Sequence, residues 1–291
     1  MRRANTWKHA IPYILIVPTI VYYSIFWLGP VVTAYVLSFQ DDKGNFTLGN
    51  YLYIFSDPYF IRAVINTGIF VAISVTLEFI VAMVLALLIN KKFRGASIFL
   101  AIALIPMTLP PVAVGAMWSS AFAQNGWMNS ILYKLGLITA EGKIPFLAGT
   151  EWQSLMLIIM IDAWQVIPFM MIILLAGLQN LPKESIEAGY IFGASRFTVL
   201  RKITMPMMKP SIQTALILRI IAALQVWLII VMIYGFRRIP VLVEEVVYYN
   251  EIVLGYYRVA LAYSVIVSII VSIVAIIYLK VSGAFERGSE Q

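Results

Sequence analysis

Six long apolar runs dominate this chain, and none of them contains more than one Asp, Glu, Lys or Arg. Of its 291 residues, 62% are hydrophobic and 12% are charged, against roughly 45–50% and 25% in ordinary soluble domains. About 20 consecutive apolar residues span a bilayer as a helix, and continuous rather than alternating runs exclude a transmembrane barrel. The sequence therefore predicts an all-α, polytopic membrane protein with six transmembrane helices. Within one transmembrane domain, residues 1–291, the predicted spans cover about 11–39, 64–90, 96–123, 152–181, 211–236 and 259–279.

The composition also excludes several kinds of site. The chain has no cysteine and a single histidine, His9, which rules out disulfides, thiolate chemistry, a histidine-based metal centre and a histidine-dependent triad. The first apolar run is too long for a secretory signal and is not followed by a small-residue cleavage site, so we expect an uncleaved helix. We therefore expect no catalytic residue, metal ligand or cofactor in this chain.

The distribution of basic residues predicts the orientation in the membrane. With the N-terminus inside, thirteen Lys and Arg residues fall in the inside segments and seven in the outside loops, and such residues are enriched on the cytoplasmic side. Both termini and the polar segment 182–210 are thus predicted to be cytoplasmic, with 41–62, 124–151 and 237–258 outside. Because the net charge of +7 is not gathered on one polar face, nucleic-acid binding is not expected.

The polar segment lies between the fourth and fifth apolar runs and has the residues of a short helix–turn–helix unit. Pro182 suits the first turn of a helix, Gly193 can adopt a left-handed turn, and Ser195 can cap a second helix. Pro206 and Pro210 are predicted to end that helix before the next span. Small residues would let another backbone approach closely: Ala188, Gly189, Gly193 and Ala194. A plain amphipathic linker at the membrane surface is the alternative interpretation.

The polar segment also carries a family motif. It resembles the EAA loop of ATP-binding-cassette (ABC) importer permeases at Glu187-Ala188, Gly193-Ala194-Ser195, Ile203-Thr204 and Pro206. Phe192 stands where that family usually has Asp, and Gly189 where it usually has Ala. The resemblance implies the type I ABC importer permease fold, with a cytoplasmic coupling helix that docks into a cleft of an ATPase subunit. The coupling residues it implies are Glu187, Ala188, Gly189, Gly193, Ala194 and Pro206.

A wider resemblance narrows the expected substrate to a sugar. The chain is similar to carbohydrate-importer permeases of the maltose/trehalose type at Pro12, Pro18, Pro30, Asn50-Tyr51, Asn66-Thr67, Gly126-Trp127 and Ala176-Gly177-Leu178-Gln179. Residues 234–240 depart from the Thr-Gly-Gly-Gly-Pro that the family usually has there. The resemblance implies import of a sugar, such as the disaccharides maltose or trehalose, by alternating access across the inner membrane of a prokaryote. The partners it implies are a second homologous permease, two ATPase subunits and an extracytoplasmic sugar-binding protein.

The sequence contains no phosphate-binding Walker motif. We therefore expect a transport subunit rather than an enzyme, with ATP and magnesium on the separate ATPase. An importer of another polar solute, such as a sugar alcohol or glycerol phosphate, stays open as an alternative. An intramembrane enzyme is disfavoured because the chain has no His pair, Cys or Asp pair for catalysis, and a secondary transporter because no inverted repeat is visible.

Three ionisable residues lie within predicted spans: Glu78, Asp162 and Arg219. Each costs at least about 2.5–3.5 kcal/mol in a bilayer unless it faces a cavity or a partner. Counted along their helices, Glu78 and Arg219 lie at a similar depth, so an ion pair between them is one interpretation and contact with the solute the other. Asp162 lies near mid-membrane, where it either bonds to a neighbouring helix or lines the pathway.

Two helix faces are predicted to bind the sugar, which needs aromatic surfaces and a few hydroxyl-bonding groups. The resemblance to maltose-type permeases implies that these faces line the transmembrane sugar site. The residues are Trp164, Gln165 and Phe169 on the fourth span and Arg219, Ala223 and Val226 on the fifth. Ordinary helix packing is the alternative for Trp164 and Phe169. Trp118, Trp227 and Tyr263 are expected in packing or at the membrane interface.

Overall fold

The computed structural model describes residues 6–283, with side chains from residue 12 onward. Within that range the chain is helical apart from its turns and one isolated β-bridge, between Gln40 and Phe46. This confirms the predicted all-α class. The described residues form two compact units, one of residues 6–57 and Val246–Ser268, the other of Pro58–Glu245 and 269–283.

The first unit begins with a long apolar helix. Helix α1 (Thr6–Tyr23) passes through a π-helical turn, Ser24–Leu28, into α2 (Gly29–Ser38). A short helix, α3 (Gly49–Ser56), follows. Between α2 and α3 the carboxylate of Asp41 accepts the backbone N–H groups of residues 43 and 45, at 2.9 and 2.8 Å. These hydrogen bonds, first that from residue 45, lower the pKa of Asp41 and fix the turn.

The second unit contains most of the helices. They are α4 (Pro58–Asn90), α5 (Ala96–Leu104), α6 (Pro111–Phe122), α7 (Trp127–Lys134), α8 (Glu151–Gln179), α9 (Lys183–Ile191), α10 (Arg196–Val199), α11 (Met205–Met207), α12 (Lys209–Leu224) and α13 (Leu228–Tyr234). Two further helices, α14 (Leu242–Val247) and α15 (Tyr257–Ser282), contain residues of both units.

Four helices of the described chain are long and apolar enough to cross a membrane: Pro12–Ser38, α4, α8 and α15. Two bent pairs pass the same test when their parts are taken together. Ala96–Thr108 meets α6 at 95°, and Arg196–Met207 meets α12 at 68°. Counting each bent pair as one span gives six in number, although the second pair covers 196–224 and overlaps only part of the predicted fifth span, 211–236.

Two of the predicted spans are therefore not straight. The third bends at Leu109-Pro110, because two successive prolines leave backbone carbonyls without helical partners. The predicted fifth span, 211–236, is interrupted between α12 and α13. No proline or glycine marks that break. Tertiary packing holds α13 instead: a Cβ on Gly115 of α6 would lie 2.5 Å from Cβ of Met232.

The core of the second unit is built on α4, α8 and α12, which pack against one another. A threonine capping box begins α8, with Thr150 accepting from the N–H of Gln153 and Gln153 accepting in return at 2.9 Å. Near its other end, a Cβ on Gly177 would lie 2.5 Å from Cβ of Ser211. Small residues allow this close crossing of α8 and α12, as is usual between membrane helices.

Candidate functional site

A buried cluster of three charged side chains joins the three core helices. Glu78 comes from α4, Asp162 from α8 and Arg219 from α12, and as whole residues they are 0%, 7% and 4% exposed. The guanidinium of Arg219 donates from Nη2 to Oε1 of Glu78 at 2.9 Å and from Nε to Oε2 of the same carboxylate. Its Nη2 also donates to Oδ2 of Asp162. We call this cluster the charge triad.

The charge triad confirms one of the two interpretations of Glu78 and Arg219, since the two form a bidentate ion pair. Asp162 is a third member that sequence reasoning did not pair with them. Counting residues along separate helices gives depth, but it does not give the direction in which a side chain points. The signal was present nonetheless: three lone charges in three spans are costly unless they meet.

A cleft of about 480 Å³ opens beside the charge triad, between the start of α6 and helices α8, α12 and α13. Four of the residues predicted to bind the sugar line it: Gln165, Phe169, Arg219 and Val226. Asp162 lines it as well. Aromatic, amide and charged side chains therefore share one partly enclosed space within the second unit, as a site for a polar solute requires.

The other two residues predicted to bind the sugar do not line this cleft. The ring of Trp164 meets that of Trp118 edge-on at 5.5 Å and borders a separate apolar groove with Pro168. Ala223 is fully buried in the core. Trp164 and Ala223 instead pack in the hydrophobic core of the second unit.

Trp227 lines the cleft, although the sequence assigned it to packing or to the interface. The break between α12 and α13 explains this difference. Trp227 has a non-helical backbone, with φ of −160°, and stands immediately before α13. Its side chain therefore does not follow the helical period of α12 that the prediction assumed.

Gln165 has a structural partner as well as a place in the cleft. Its Nε2 donates to the backbone carbonyl of Leu109 at 2.8 Å. That carbonyl lies at the bend before α6, where Pro110 and Pro111 interrupt the helical hydrogen bonds. Side chains commonly satisfy backbone groups freed in this way within membranes. Gln165 thus links α8 to the bent third span.

The polar segment 182–210 has the predicted helix–turn–helix form at its centre. Helix α9 ends at Ile191, and Gly193 has a positive φ of +78°. The side chain of Ser195 accepts the N–H of Thr198 at 3.2 Å and so caps α10. The predicted turn and cap are confirmed.

The helical run that begins at Arg196 ends at Met207, before α12, as predicted. Pro206 lies within α11, and Pro210 lies in the first turn of α12. Both prolines occupy first-turn positions, where the missing N–H removes no hydrogen bond. The run passes through a π-helical turn at Leu200–Thr204, and α12 then begins at an angle of 68° to it.

Packing within the polar segment, and not the approach of another backbone, explains why residue 189 is a glycine. It is buried, and a Cβ there would lie 2.6 Å from Cδ1 of Ile203. The two arms of the segment pack against each other at this point. Glu187 is exposed, Ala188 and Ala194 are half-buried, and nothing within 4 Å would meet a Cβ at Gly193.

The turn of the polar segment exposes apolar side chains. Ile191 is 82% exposed, Phe192 is 90% exposed and Phe197 is 68% exposed. Phe192 is also the residue that replaces the family's usual Asp. Three large exposed apolar side chains around one turn are typical of a contact surface.

A second buried polar cluster, which sequence reasoning missed, lies at residues 237–245. Arg237 has a positive φ of +62°, and its Nη2 donates to Oε2 of Glu245 at 2.7 Å. Its guanidinium also lies 4.3 Å from the centre of the Tyr59 ring. Glu244 accepts the backbone N–H groups of Arg237 and Val241. Burial raises the pKa of Glu244 although both hydrogen bonds oppose the rise.

Within residues 6–283, no group of three or more His, Cys, Asp or Glu side chains could hold a metal ion. The polar groups of the cleft are instead the amides of Gln165 and Gln225, a carboxylate and a guanidinium. Such groups bind a polar solute by hydrogen bonds. They do not form the nucleophile and base pair of a hydrolytic enzyme.

The fold matches solved transporters. A chain in the crystal structure of a bacterial ABC transporter involved in the import of the acidic polysaccharide alginate aligns with a TM-score of 0.83 at 21% identity. The alignment covers 96% of this chain and 98% of that chain. A similar match is made by the alginate transporter in complex with its pentasaccharide-bound periplasmic protein, with a TM-score of 0.79. The predicted type I ABC importer permease fold is therefore confirmed.

Sequence comparison gives the family. The trehalose/maltose transport system permease protein MalF of Thermococcus litoralis is 34% identical over 288 residues, which cover 94% of each chain. The trehalose transport system permease protein SugA of Mycobacterium tuberculosis is 30% identical, covering 87% of this chain and 80% of its own length. A family model described as a binding-protein-dependent transport system inner membrane component matches residues 78–283. The chain thus belongs to this family of inner-membrane transport components, as its EAA loop predicts.

Proposed function

We propose that this chain is the permease subunit of an ATP-driven ABC importer that moves a neutral oligosaccharide, such as trehalose or maltose, into the cytoplasm. The observation that carries the proposal is the 34% identity to a trehalose/maltose permease over 94% of both chains. A relative from Rhizobium radiobacter, 30% identical over 74% of this chain, is a lactose permease protein. Alternating access would expose the solute site to each side of the membrane in turn.

The cleft supports this function because it combines both surfaces that a sugar needs. Phe169 and Trp227 offer aromatic surface to the C–H faces of a ring, and Gln165 offers an amide to a hydroxyl. The volume of about 480 Å³ falls in the range of small-molecule sites. In this proposal the cleft is one wall of the pathway, and a second, homologous permease supplies the other.

The polar segment supports the coupling of transport to a separate ATPase. Its exposed turn, with Phe192 at the tip, has the form of a knob that can enter a cleft on a soluble partner. Two ATPase subunits would bind ATP and magnesium, and this chain would bind neither. An extracytoplasmic binding protein would deliver the sugar, in keeping with the family's binding-protein dependence.

The orientation follows from the basic residues. Both termini and the polar segment lie in the cytoplasm in this proposal, and residues 124–151 and 237–258 lie outside. Arg2, Arg3 and Arg287, which contribute to the charge count, lie outside the described residues, as does the side chain of Lys8. The exposed Lys91, Lys92 and Arg94 between α4 and α5 would then face the anionic inner surface.

The test is uptake by the complete importer in vesicles that contain ATP. The vesicles would hold this chain with its partner permease and ATPase, with the binding protein outside, and the solutes would be labelled trehalose, maltose, a sugar alcohol and glycerol 3-phosphate. We expect ATP-dependent accumulation of a neutral disaccharide, and none with a non-hydrolysable ATP analogue. Accumulation of glycerol 3-phosphate alone would replace the sugar by a phosphorylated solute. A relative with that transport name, the UgpA protein of Yersinia pestis, is 27% identical to this chain.

A further inference from the structure

The cleft has an unbalanced electric charge. Asp162 and Arg219 are the ionisable side chains that line it, and Glu78 lies directly behind the guanidinium. Two carboxylates therefore surround one guanidinium. With every group in its ordinary ionised form, the charge triad carries one net negative charge.

The geometry shows which carboxylate neutralises the arginine. Both oxygens of Glu78 accept hydrogen bonds from Arg219, one from Nε and one from Nη2. This bidentate arrangement is the preferred one for an arginine and an ionised carboxylate. Asp162 meets the same guanidinium through one oxygen, Oδ2. With both carboxylates ionised, its charge is the one left over, and it is the carboxylate that reaches the cleft.

With both carboxylates ionised, the excess charge lies in buried surroundings. Glu78 is fully buried, and the side chains of Asp162 and Arg219 are 10% and 5% exposed. Charges in such surroundings are weakly screened by water and salt, so their effect reaches further than that of surface charges. In the described residues that line the cleft, the remaining side chains are amide, aromatic or aliphatic. None of these could cancel the charge.

We propose that the charge triad gives the cleft a negative wall that admits neutral or cationic solutes and opposes acidic ones such as uronic-acid saccharides. This selection extends the proposed function, and it depends on that function for the premise that a saccharide enters the cleft. The negative charge of the triad does not depend on the proposed function. Asp162 is the specificity-determining residue in this account, and Glu78 and the guanidinium hold it in place.

The charge can be measured without any transport assay, because the chain has no cysteine. Val226 lines the cleft, so a cysteine placed there reports the local potential through its reaction with a cationic and an anionic methanethiosulfonate reagent of similar size. Because the intrinsic reactivity of the thiol affects both rates equally, it drops out of their ratio. Glu141→Cys, at an exposed turn position, supplies the reference ratio. The full chain is used in its assembled complex, and modification is read on this subunit.

We expect the cationic-to-anionic ratio at residue 226 to exceed the ratio at residue 141 by about tenfold or more, which corresponds to about 1.4 kcal/mol. Asp162→Asn should reduce the excess by about tenfold, because the Glu78–Arg219 pair that remains is neutral. Glu78→Gln removes one charge from the same cluster and should reduce the excess as well. The Glu78→Gln variant is the substitute test if the Asp162→Asn variant does not assemble.

Equal ratios at residues 226 and 141, unchanged by either substitution, would overturn the proposal, since the two carboxylates would then share a proton and leave the wall neutral. A ratio that favours the anionic reagent would overturn it too. The outcome is separable from that of the uptake experiment. Vesicles that fail to accumulate any saccharide would refute the proposed function, whereas the reagent ratio would still measure the charge of the cleft.

Discussion

At the residue scale, Arg219 is the one cation of the charge triad, and its removal would leave two buried carboxylates facing each other. Breaking a buried ion pair by removing one partner destabilises a protein by about 3–5 kcal/mol. We predict that Arg219→Leu sharply lowers the yield of assembled complex, measured by size-exclusion chromatography after extraction. Loss of transport in that variant is then secondary to loss of assembly.

The matched control is the double substitution Glu78→Leu with Arg219→Leu. It removes one of the two carboxylates together with the arginine, so we expect it to recover part of the yield, as coupled neighbours do in a double-mutant cycle. Unchanged yield in Arg219→Leu, with transport lost, would instead mean that the guanidinium acts on the solute. The triad would then have no part in stability.

Gln165 gives a second prediction at this scale. Gln165→Leu keeps the approximate volume but removes the hydrogen bond to the carbonyl of Leu109. An orphaned buried acceptor costs about 1–3 kcal/mol, so the bent third span should loosen and uptake should fall. Gln225→Leu is the control, because Gln225 lines the same cleft while its side chain makes no hydrogen bond among the described residues. An equal effect of both substitutions on thermal stability would rule out the structural role of Gln165.

The sequence could predict these residues only in part. Glu78, Asp162 and Arg219 were identifiable because a charge within an apolar run is conspicuous. Four of the six predicted sugar-contacting residues do line the cleft. Trp164 and Ala223 could not be excluded in advance, because the exact turn of each helix depends on the packing of α4, α8 and α12. Trp227 was missed because a break without proline or glycine leaves no local signal.

At the scale of single elements, the turn at Gly193 is a direct test of the polar segment. Gly193→Val places a β-branched side chain at φ of +78°, where strain costs about 1–3 kcal/mol. No neighbouring atom lies within 4 Å of that Cβ position, so the effect comes from the backbone alone. We predict that sugar-stimulated ATPase activity falls severalfold while the chain still enters the membrane.

Gly193→Asn separates backbone strain from any effect of adding a side chain. Asparagine adopts positive φ much more readily than valine, so this variant should keep most of the ATPase stimulation. Similar losses in both variants would indicate that a side chain at this position blocks the partner. Full stimulation in Gly193→Val would remove the turn from coupling altogether.

The elements themselves were largely predictable, for reasons that differ between them. Long helices such as α4 and α8 follow from continuous apolar sequence, and the turn after α9 follows from Gly193 and the Ser195 cap. The break between Met207 and Lys209 lies between Pro206 and Pro210, where the sequence predicts that the second short helix ends. The cluster around Arg237 depends on contacts distant in sequence and had no local signature.

At the scale of the whole molecule, the orientation predicted from basic residues can be read with single cysteines. Glu141→Cys should react with a membrane-impermeant thiol reagent added outside intact cells, and Phe192→Cys only after the inner surface is exposed. Phe192 is 90% exposed, so its reagent access is not limited by burial. Glu141 is preferred to Gly142, where a Cβ would lie 2.8 Å from Oγ1 of Thr139. Reversed labelling would place the polar segment outside and exclude contact with a cytoplasmic ATPase.

The account as a whole depends on the cleft beside the charge triad being the place where the solute passes. The measurement that tests this most directly is protection of a cysteine at residue 226 from a neutral thiol reagent in the assembled importer, with and without saturating saccharide. Leu85→Cys, in the separate apolar groove that Trp164 borders, is the control. We predict that the saccharide slows modification at residue 226 severalfold and leaves the rate at residue 85 unchanged. An importer that accumulates the saccharide while residue 226 reacts at the same rate throughout would contradict the account.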